Sequence, residues 1–332
     1  AVAGLRPVSL ALGQARVPGL AGCRRPIYRA DDGREQVGTH GPRSGPDFLR
    51  MESPDEDVLR VLFVLDETGT VCGGIVNFSC HPTTMYAVPL ISADYPGDVC
   101  DRLDKHFGCR FLFLTGPAGN QSPQVAGGPE ACAAMGRRLA DAAIDSLGRA
   151  TPSVPGSVRV DRRILSLPWR EVPPAQVDLA QAHVEAVTRG ERPPPLIPRL
   201  YGYAWGFRAN KPQVDDWLAR EILGLWEVKR RSDVRQITEE AEIQLLTAGS
   251  TALLTFPCEV FSDIGQALRA RHPGLLIAEQ CNGHCGYIPL DPTAFDRGGY
   301  ECCTAQQSRL APLAGKEMLN AAEDLLLARP AV

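Results

Sequence analysis

The sequence predicts an α/β fold of layered, mixed β-sheets flanked by helices. Short β-rich runs alternate with amphipathic helical stretches in both halves of the chain. Three apolar runs also end in loops rich in Gly, Pro, Asn and Ser, where open α/β sheets hold their ligands. The 332 residues are enough for one large domain. No repeat or biased segment divides them. A proline-rich stretch at 189–198 is the only candidate boundary, so one domain over 1–332 is expected.

The elements follow in order. Residues 8–12 alternate as a first strand. Residues 23–57, rich in Gly, Pro, Arg and Asp, read as a long irregular loop. Residues 58–65 and 71–78 are β-rich runs separated by Asp66-Glu-Thr-Gly69, a hairpin signal. Residues 96–107 suit a short helix, and 111–114 a buried strand. Residues 129–147 are the clearest helix, with Pro at the start and an apolar face on Met135, Leu139 and Ile144. A strand at 158–167 and a helix at 175–188 come next. Four prolines in 189–198 suggest a surface connector. A helix is expected at 213–231, with Trp217 and Trp226 as packing anchors. Strands at 242–246, 252–256 and 275–280, and helices at 260–271 and 316–327, complete the chain.

Composition excludes several classes of function. Hydrophobic residues make up 44%, too many for a disordered chain. The net charge is −4 with no basic stripe, so no nucleic-acid partner is expected. No apolar run is long enough to cross a bilayer. The first residues lack the charged-then-apolar pattern of a signal peptide, and there is no initiator Met. Eleven scattered cysteines read as reduced thiols rather than a disulfide framework, which leans towards the cytosol.

Three loops carry candidate chemistry. In Asn77-Phe-Ser-Cys-His-Pro-Thr-Thr-Met85, Pro82 stops the ladder directly after His81. An imidazole held there suits metal binding or proton transfer, or a core histidine bonded to backbone. In Thr115-Gly-Pro-Ala-Gly-Asn-Gln-Ser-Pro123, Ser122 stands at the end of a tight loop. It reads as an oxyanion donor, a nucleophile or a turn serine, and the segment lacks the G-x-S-x-G elbow of α/β-hydrolases. In Phe256-Pro-Cys-Glu-Val-Phe261, Glu259 is a carboxylate among apolar neighbours. It demands a partner, either a metal or a helix N-terminus. Cys281-Asn-Gly-His-Cys285 lacks C-x-x-C spacing and is not read as a chelate. His40, His106, His183 and His272 read as surface residues.

Taken in order, these segments resemble the neutral/alkaline non-lysosomal ceramidase family, in particular the N-terminal catalytic domain of its shorter bacterial members. Cys80-His-Pro-Thr-Thr-Met85, Ile91-Ser-Ala-Asp-Tyr-Pro-Gly97, Gly119-Asn-Gln-Ser-Pro123, Phe256-Pro-Cys-Glu259, Asn282-Gly-His-Cys-Gly-Tyr-Ile-Pro289 and Gly299-Tyr-Glu301 carry the likeness across nearly the whole chain. It implies a zinc-dependent amidohydrolase that cleaves an N-acyl amide, ceramide or a related lipid amide, with metal-activated water. His81, Glu259 and Tyr287 are then the Zn2+ ligands. Ser122 sits beside the metal, Tyr300 contacts the substrate carbonyl, and Arg24 matches an active-site arginine. Asn120 and Asp94 are expected around the substrate or behind the ligands.

The chain departs from the family pattern in three ways. No His-x-His segment precedes the first strand, although the family takes a zinc histidine from there. The expectation is therefore a domain without its N-terminal segment, completed by an oligomer or a separate chain. Asn120 replaces the aspartate of the Gly-Asp-x-Ser-Pro signature, and no C-terminal immunoglobulin-like domain is expected. These departures leave two alternatives open: a non-catalytic binding or regulatory relative, or a metal-free serine hydrolase using Ser122 with His81 as base. Tyr201, Tyr203, Trp205 and Phe207 offer aromatic surface for an acyl chain, or a half-buried strand.

Overall fold

Alternating apolar and small residues in Ser9–Arg16 form the first strand, β1, longer at its C-terminal end than the sequence suggested. The computed structural model describes residues 5–125, 127–201, 212–232 and 236–329. Next come β2 (Ala21–Cys23), β3 (Pro26–Arg29), β4 (Glu35–Val37) and β5 (Phe48–Met51). The expected loop at 23–57 is thus a small antiparallel sheet, ordered β4-β3-β5. Its strands are too short and too charged to show a period of two. Cross-strand pairs such as Arg50 with Glu35 help hold it.

The hairpin of β6 (Val58–Leu65) and β7 (Val71–Phe78) forms as predicted. The Asp66 carboxylate accepts the N–H groups of Thr68 and Thr70, and Gly69 takes a positive φ of 81°. Helix α1 (Asp94–Phe107) leads to β8 (Phe111–Thr115), which runs parallel to β7. The short β9 (Gln121–Pro123) precedes α2 (Pro129–Ser146), and β10 (Thr151–Pro152) closes a five-stranded sheet ordered β10-β1-β6-β7-β8. Helices α1 and α2 bury Tyr95, Val99, Leu103, Met135 and Leu139 against Phe63 and Val76 of that sheet.

The second half repeats the principle. Strand β11 (Val158–Pro168) is followed by α3 (Pro174–Thr188), α4 (Leu196–Tyr201) and α5 (Pro212–Arg231). These three helices share their own core, with Leu196, Ile197, Leu218 and Ile222 buried and Trp217 and Trp226 packed at its edge. The predicted surface connector is therefore partly core, because Leu196 and Ile197 follow its proline run. His183, expected at the surface, is buried and pairs with Asp216 at 2.8 Å. Tyr203, Trp205 and Phe207 lie outside the described residues, as does the side chain of Tyr201.

Strands β12 (Thr238–Ala248), β13 (Thr251–Thr255), β14 (Glu259–Val260), α6 (Ser262–Arg271), β15 (Leu276–Ala278), β16 (Tyr287–Ile288), α7 (Ala294–Arg297) and α8 (Ala314–Leu327) follow. The second sheet is ordered β11-β12-β13-β15, with β13 and β15 parallel. Helices α6 and α8 cover it through Ile264, Leu268, Met318 and Leu325. No described helix is long and apolar enough to cross a membrane. All eleven cysteines are free thiols.

The two sheets meet edge to edge at their parallel pairs. Backbone N–H groups link the carboxyl ends in series: Gly116 to Phe78, Glu279 to Thr115 and Phe256 to Ala278. Beneath this seam lies Asn77, which is wholly buried. Its amide donates to the carbonyls of Leu114 (2.9 Å) and Ile277 (2.8 Å), and its oxygen accepts from the Ile277 N–H and from Arg269 (both 3.3 Å). One side chain thus satisfies groups on strands of both sheets. Four strands deliver their following loops to one place, the crevice outside their carboxyl ends. Asn77→Ala strips partners from these buried groups and is expected to destabilise the protein by about 1–3 kcal/mol. Urea unfolding at an unchanged m-value checks this; a loss below about 0.5 kcal/mol, the range of ordinary surface changes, would remove Asn77 from that role.

Candidate metal centre

His81 emerges where β7 ends and Pro82 blocks further pairing. Its backbone N–H and its Nδ1 both meet the Gln121 carbonyl, at 3.2 and 3.1 Å. A carbonyl only accepts, so Nδ1 carries the proton. Nε2 therefore points its lone pair into the site. There it lies 3.0 Å from Glu259 Oε2 and 3.4 Å from the Tyr287 hydroxyl.

Glu259 and Tyr287 are directly opposed in register on the parallel pair β14 and β16. This pairing brings together side chains from two loops, the first after β13 and the second after β15. Two glycines allow the close approach. A Cβ at Gly119 would stand 2.5 Å from the Glu259 carbonyl, and one at Gly286 would meet the Gln307 carbonyl at 2.3 Å. Gly286 also has φ of 88°, which side-chain-bearing residues seldom adopt.

The electrostatics oppose one another in an informative way. Burial and the nearby Arg24 guanidinium lower the His81 pKa, with Glu259 pulling the other way. Burial favours a neutral Glu259, but its close contacts with the His284 and His81 rings outweigh it and bring its pKa to about 2. Burial pushes the Tyr287 phenol up, so it holds its proton. A neutral imidazole lone pair facing an ionised carboxylate asks for a cation between them, or for a second proton on the ring. Nitrogen and oxygen donors of this kind suit zinc. Their spacings approach the edge of about 3.3–3.4 Å expected for a tetrahedron with bonds of 2.0–2.1 Å. Among the described residues, no three His, Cys, Asp or Glu side chains already converge as a ready chelate.

Around these donors stands a buried ionic frame. Arg24 donates to Glu301 (Nε, 2.6 Å), to the Ser122 hydroxyl (Nη1, 3.2 Å) and to the Gly119 carbonyl (Nη2, 2.8 Å). Its guanidinium lies 5.5 Å from the Tyr287 ring centre. Arg25 holds the other Glu301 oxygen at 2.6 Å and pairs with Glu52. Burial would raise the Glu301 pKa, yet the two guanidiniums bring it to about 2. The Tyr300 ring packs against Tyr287 and Trp217, each at 5.9 Å.

The structure thus gathers His81, Glu259, Tyr287, Arg24, Ser122 and Tyr300. Ser122 is not displayed on a loop end as expected; it is buried in β9, paired with β2. Its described side-chain partner is Arg24, while the His81 ring is engaged with Gln121, Glu259 and Tyr287, so no described contact joins Ser122 to a base. Asn120 faces away from the donors: its amide donates to Ser53 and its oxygen accepts the N–H of Ser262 at the start of α6. Asp94 accepts from Thr84, Met85 and Tyr95, tying the loop after His81 to α1. Sequence reasoning passed over His284, whose Nε2 lies 3.1 Å from Glu259 Oε1.

Glu301→Gln is expected to cost about 3–5 kcal/mol at neutral pH, because two buried guanidiniums lose a shared counter-charge. The folded pKa lies below the unfolded value of about 4.3. The stabilisation is therefore complete above about pH 4.3 and drains away as pH falls through the folded value. Urea unfolding should show a smaller gap between wild type and variant at pH 3 than at pH 7; equal gaps would contradict this account.

No protein-family model matches the chain, and no curated protein does. Solved structures do. A neutral ceramidase from Pseudomonas aeruginosa is 18% identical with a TM-score of 0.61, covered over 54% of its length by the whole of this chain. A ceramidase complexed with C2 is 17% identical with a TM-score of 0.59, covered over 56%. The chain spans about half the length of these structures. From its first described strand to its last helix, this chain adopts the fold of neutral ceramidase.

Proposed function

We propose that the protein is a zinc-dependent amidohydrolase acting on an N-acyl amide with an apolar chain, ceramide or a related lipid amide. The observation that carries this reading is His81 Nε2 set 3.0 Å from Glu259 Oε2, with the Tyr287 hydroxyl 3.4 Å away. The solved neighbours named as ceramidases support the same reading. His81, Glu259 and Tyr287 are the residues that would hold Zn2+. Zinc supplies Lewis acidity, which polarises an amide carbonyl and acidifies water.

The remaining work belongs to the chain itself. Gln121 fixes the His81 tautomer through Nδ1, so Nε2 always faces the site. Arg24 keeps a permanent positive charge within reach of Tyr287 and Ser122, where an amide oxygen turning negative is stabilised. That charge is pre-paired to Glu301, so it needs no reorganisation during the reaction. Tyr300 and Trp217 form an aromatic wall leading from the donors to the helices α3 to α5, apolar surface suited to an acyl chain.

Chelator-stripped protein should lose hydrolysis of a ceramide substrate, followed as fatty-acid release, and regain it with stoichiometric Zn2+. Glu259→Gln and His81→Ala should each lower kcat/KM by at least about 100-fold, the upper end for groups one step removed from a metal. A stripped protein that keeps its full rate would sink the zinc reading.

A further inference from the structure

We propose that His284 is itself a metal ligand, joining His81 and Glu259 in a two-histidine, one-carboxylate set; the inference rests on the zinc reading above. Glu259 is bracketed by two imidazoles through the same kind of nitrogen, His81 Nε2 at 3.0 Å on Oε2 and His284 Nε2 at 3.1 Å on Oε1. Two histidines and a glutamate form an established donor set for hydrolytic zinc, and the Tyr287 hydroxyl stands beside them.

The loop that carries His284 is built to aim it. Backbone N–H groups of Gln280, Cys281 and Cys285 donate to the carbonyls of Cys258, Phe256 and Pro257, which clamps the loop onto the segment leading into Glu259. Gln280 and Asn282 hold φ of 55° and 63°, and Gly283 holds 153°. At Gln280, neither glycine nor asparagine, such a φ is uncommon and persists where the surroundings enforce it. Arg309, itself paired with Glu239, donates to the His284 carbonyl at 2.7 Å. The backbone is thereby fixed while the side chain stays half exposed, at 50%. The two imidazoles now face opposite oxygens of one carboxylate. Release to solvent of the proton that His284 Nε2 now shares with Glu259, with a turn of the exposed ring towards His81, would let a single cation answer both imidazoles. Cys281 and Cys285 take no part: the Cys281 thiol donates to the Glu279 carbonyl, and Cys285 is buried.

Metal binding to the stripped protein tests this directly, without reference to turnover. Zn2+ affinity is measured against a chromophoric chelator, and Co2+ binding by visible absorption. His284→Ala should weaken Zn2+ binding by at least about 10- to 100-fold and alter the cobalt spectrum. His284→Cys should restore affinity and add a sulfur-to-cobalt charge-transfer band, a signature that a packing role cannot produce. If His284→Ala binds both ions like wild type while His81→Ala does not, the His284 assignment falls and the zinc reading stands. If wild type binds neither ion, both fall. Should the alanine variant fail to fold by circular dichroism, the cysteine band decides: present, it supports ligation; absent, it overturns it.

Discussion

Glu301 is fully buried and shared by two consecutive arginines, and the candidate site hangs from that arrangement. A lone carboxylate in such a place would be neutral or destabilising. With Arg24 on one oxygen and Arg25 on the other, it becomes a fixed negative node. Arg25 carries the connection outward to Glu52 and the small sheet. Arg24 carries it inward to Ser122, Gly119 and Tyr287. Buried pairs of this kind contribute little net stability compared with apolar packing, but they define position sharply. Here the position defined is that of a positive charge next to a set of metal-type donors.

That frame explains why the site is polar although apolar cores surround it on both sides. Each core is closed by its own helices, α1 and α2 on one sheet and α6 and α8 on the other. The seam between the sheets must therefore be satisfied by hydrogen bonds rather than by packing. Asn77 does so at depth, and the backbone bonds between strand ends do so nearer the surface. His81, Glu259 and Tyr287 are the last layer of the same seam.

Much of this was legible in the sequence because the long elements have strong periods. The hairpin of β6 and β7, the helices α1, α2, α3, α5 and α8, and the strands β11 and β13 fall close to where alternation and helix signals put them. The small sheet of β3 to β5 was not legible, since three- and four-residue strands with charged faces carry no period. His81, Glu259 and Tyr287 were found from their loops and from family resemblance, and the fold brings them within hydrogen-bonding reach of one another. Ser122 was misread as displayed because its pairing with β2 joins segments a hundred residues apart. His284 was passed over because its local neighbours are cysteines with the wrong spacing, and its actual partner, Glu259, lies 25 residues earlier.

The separation of the donors along the chain has a kinetic meaning. His81 is 178 residues from Glu259 and 206 from Tyr287. Contacts this distant in sequence are reached only after the loops between them have closed. The donors come together only where the two sheets meet. A candidate site made this way depends on both halves of the chain: a half-folded chain has the donors but not the site.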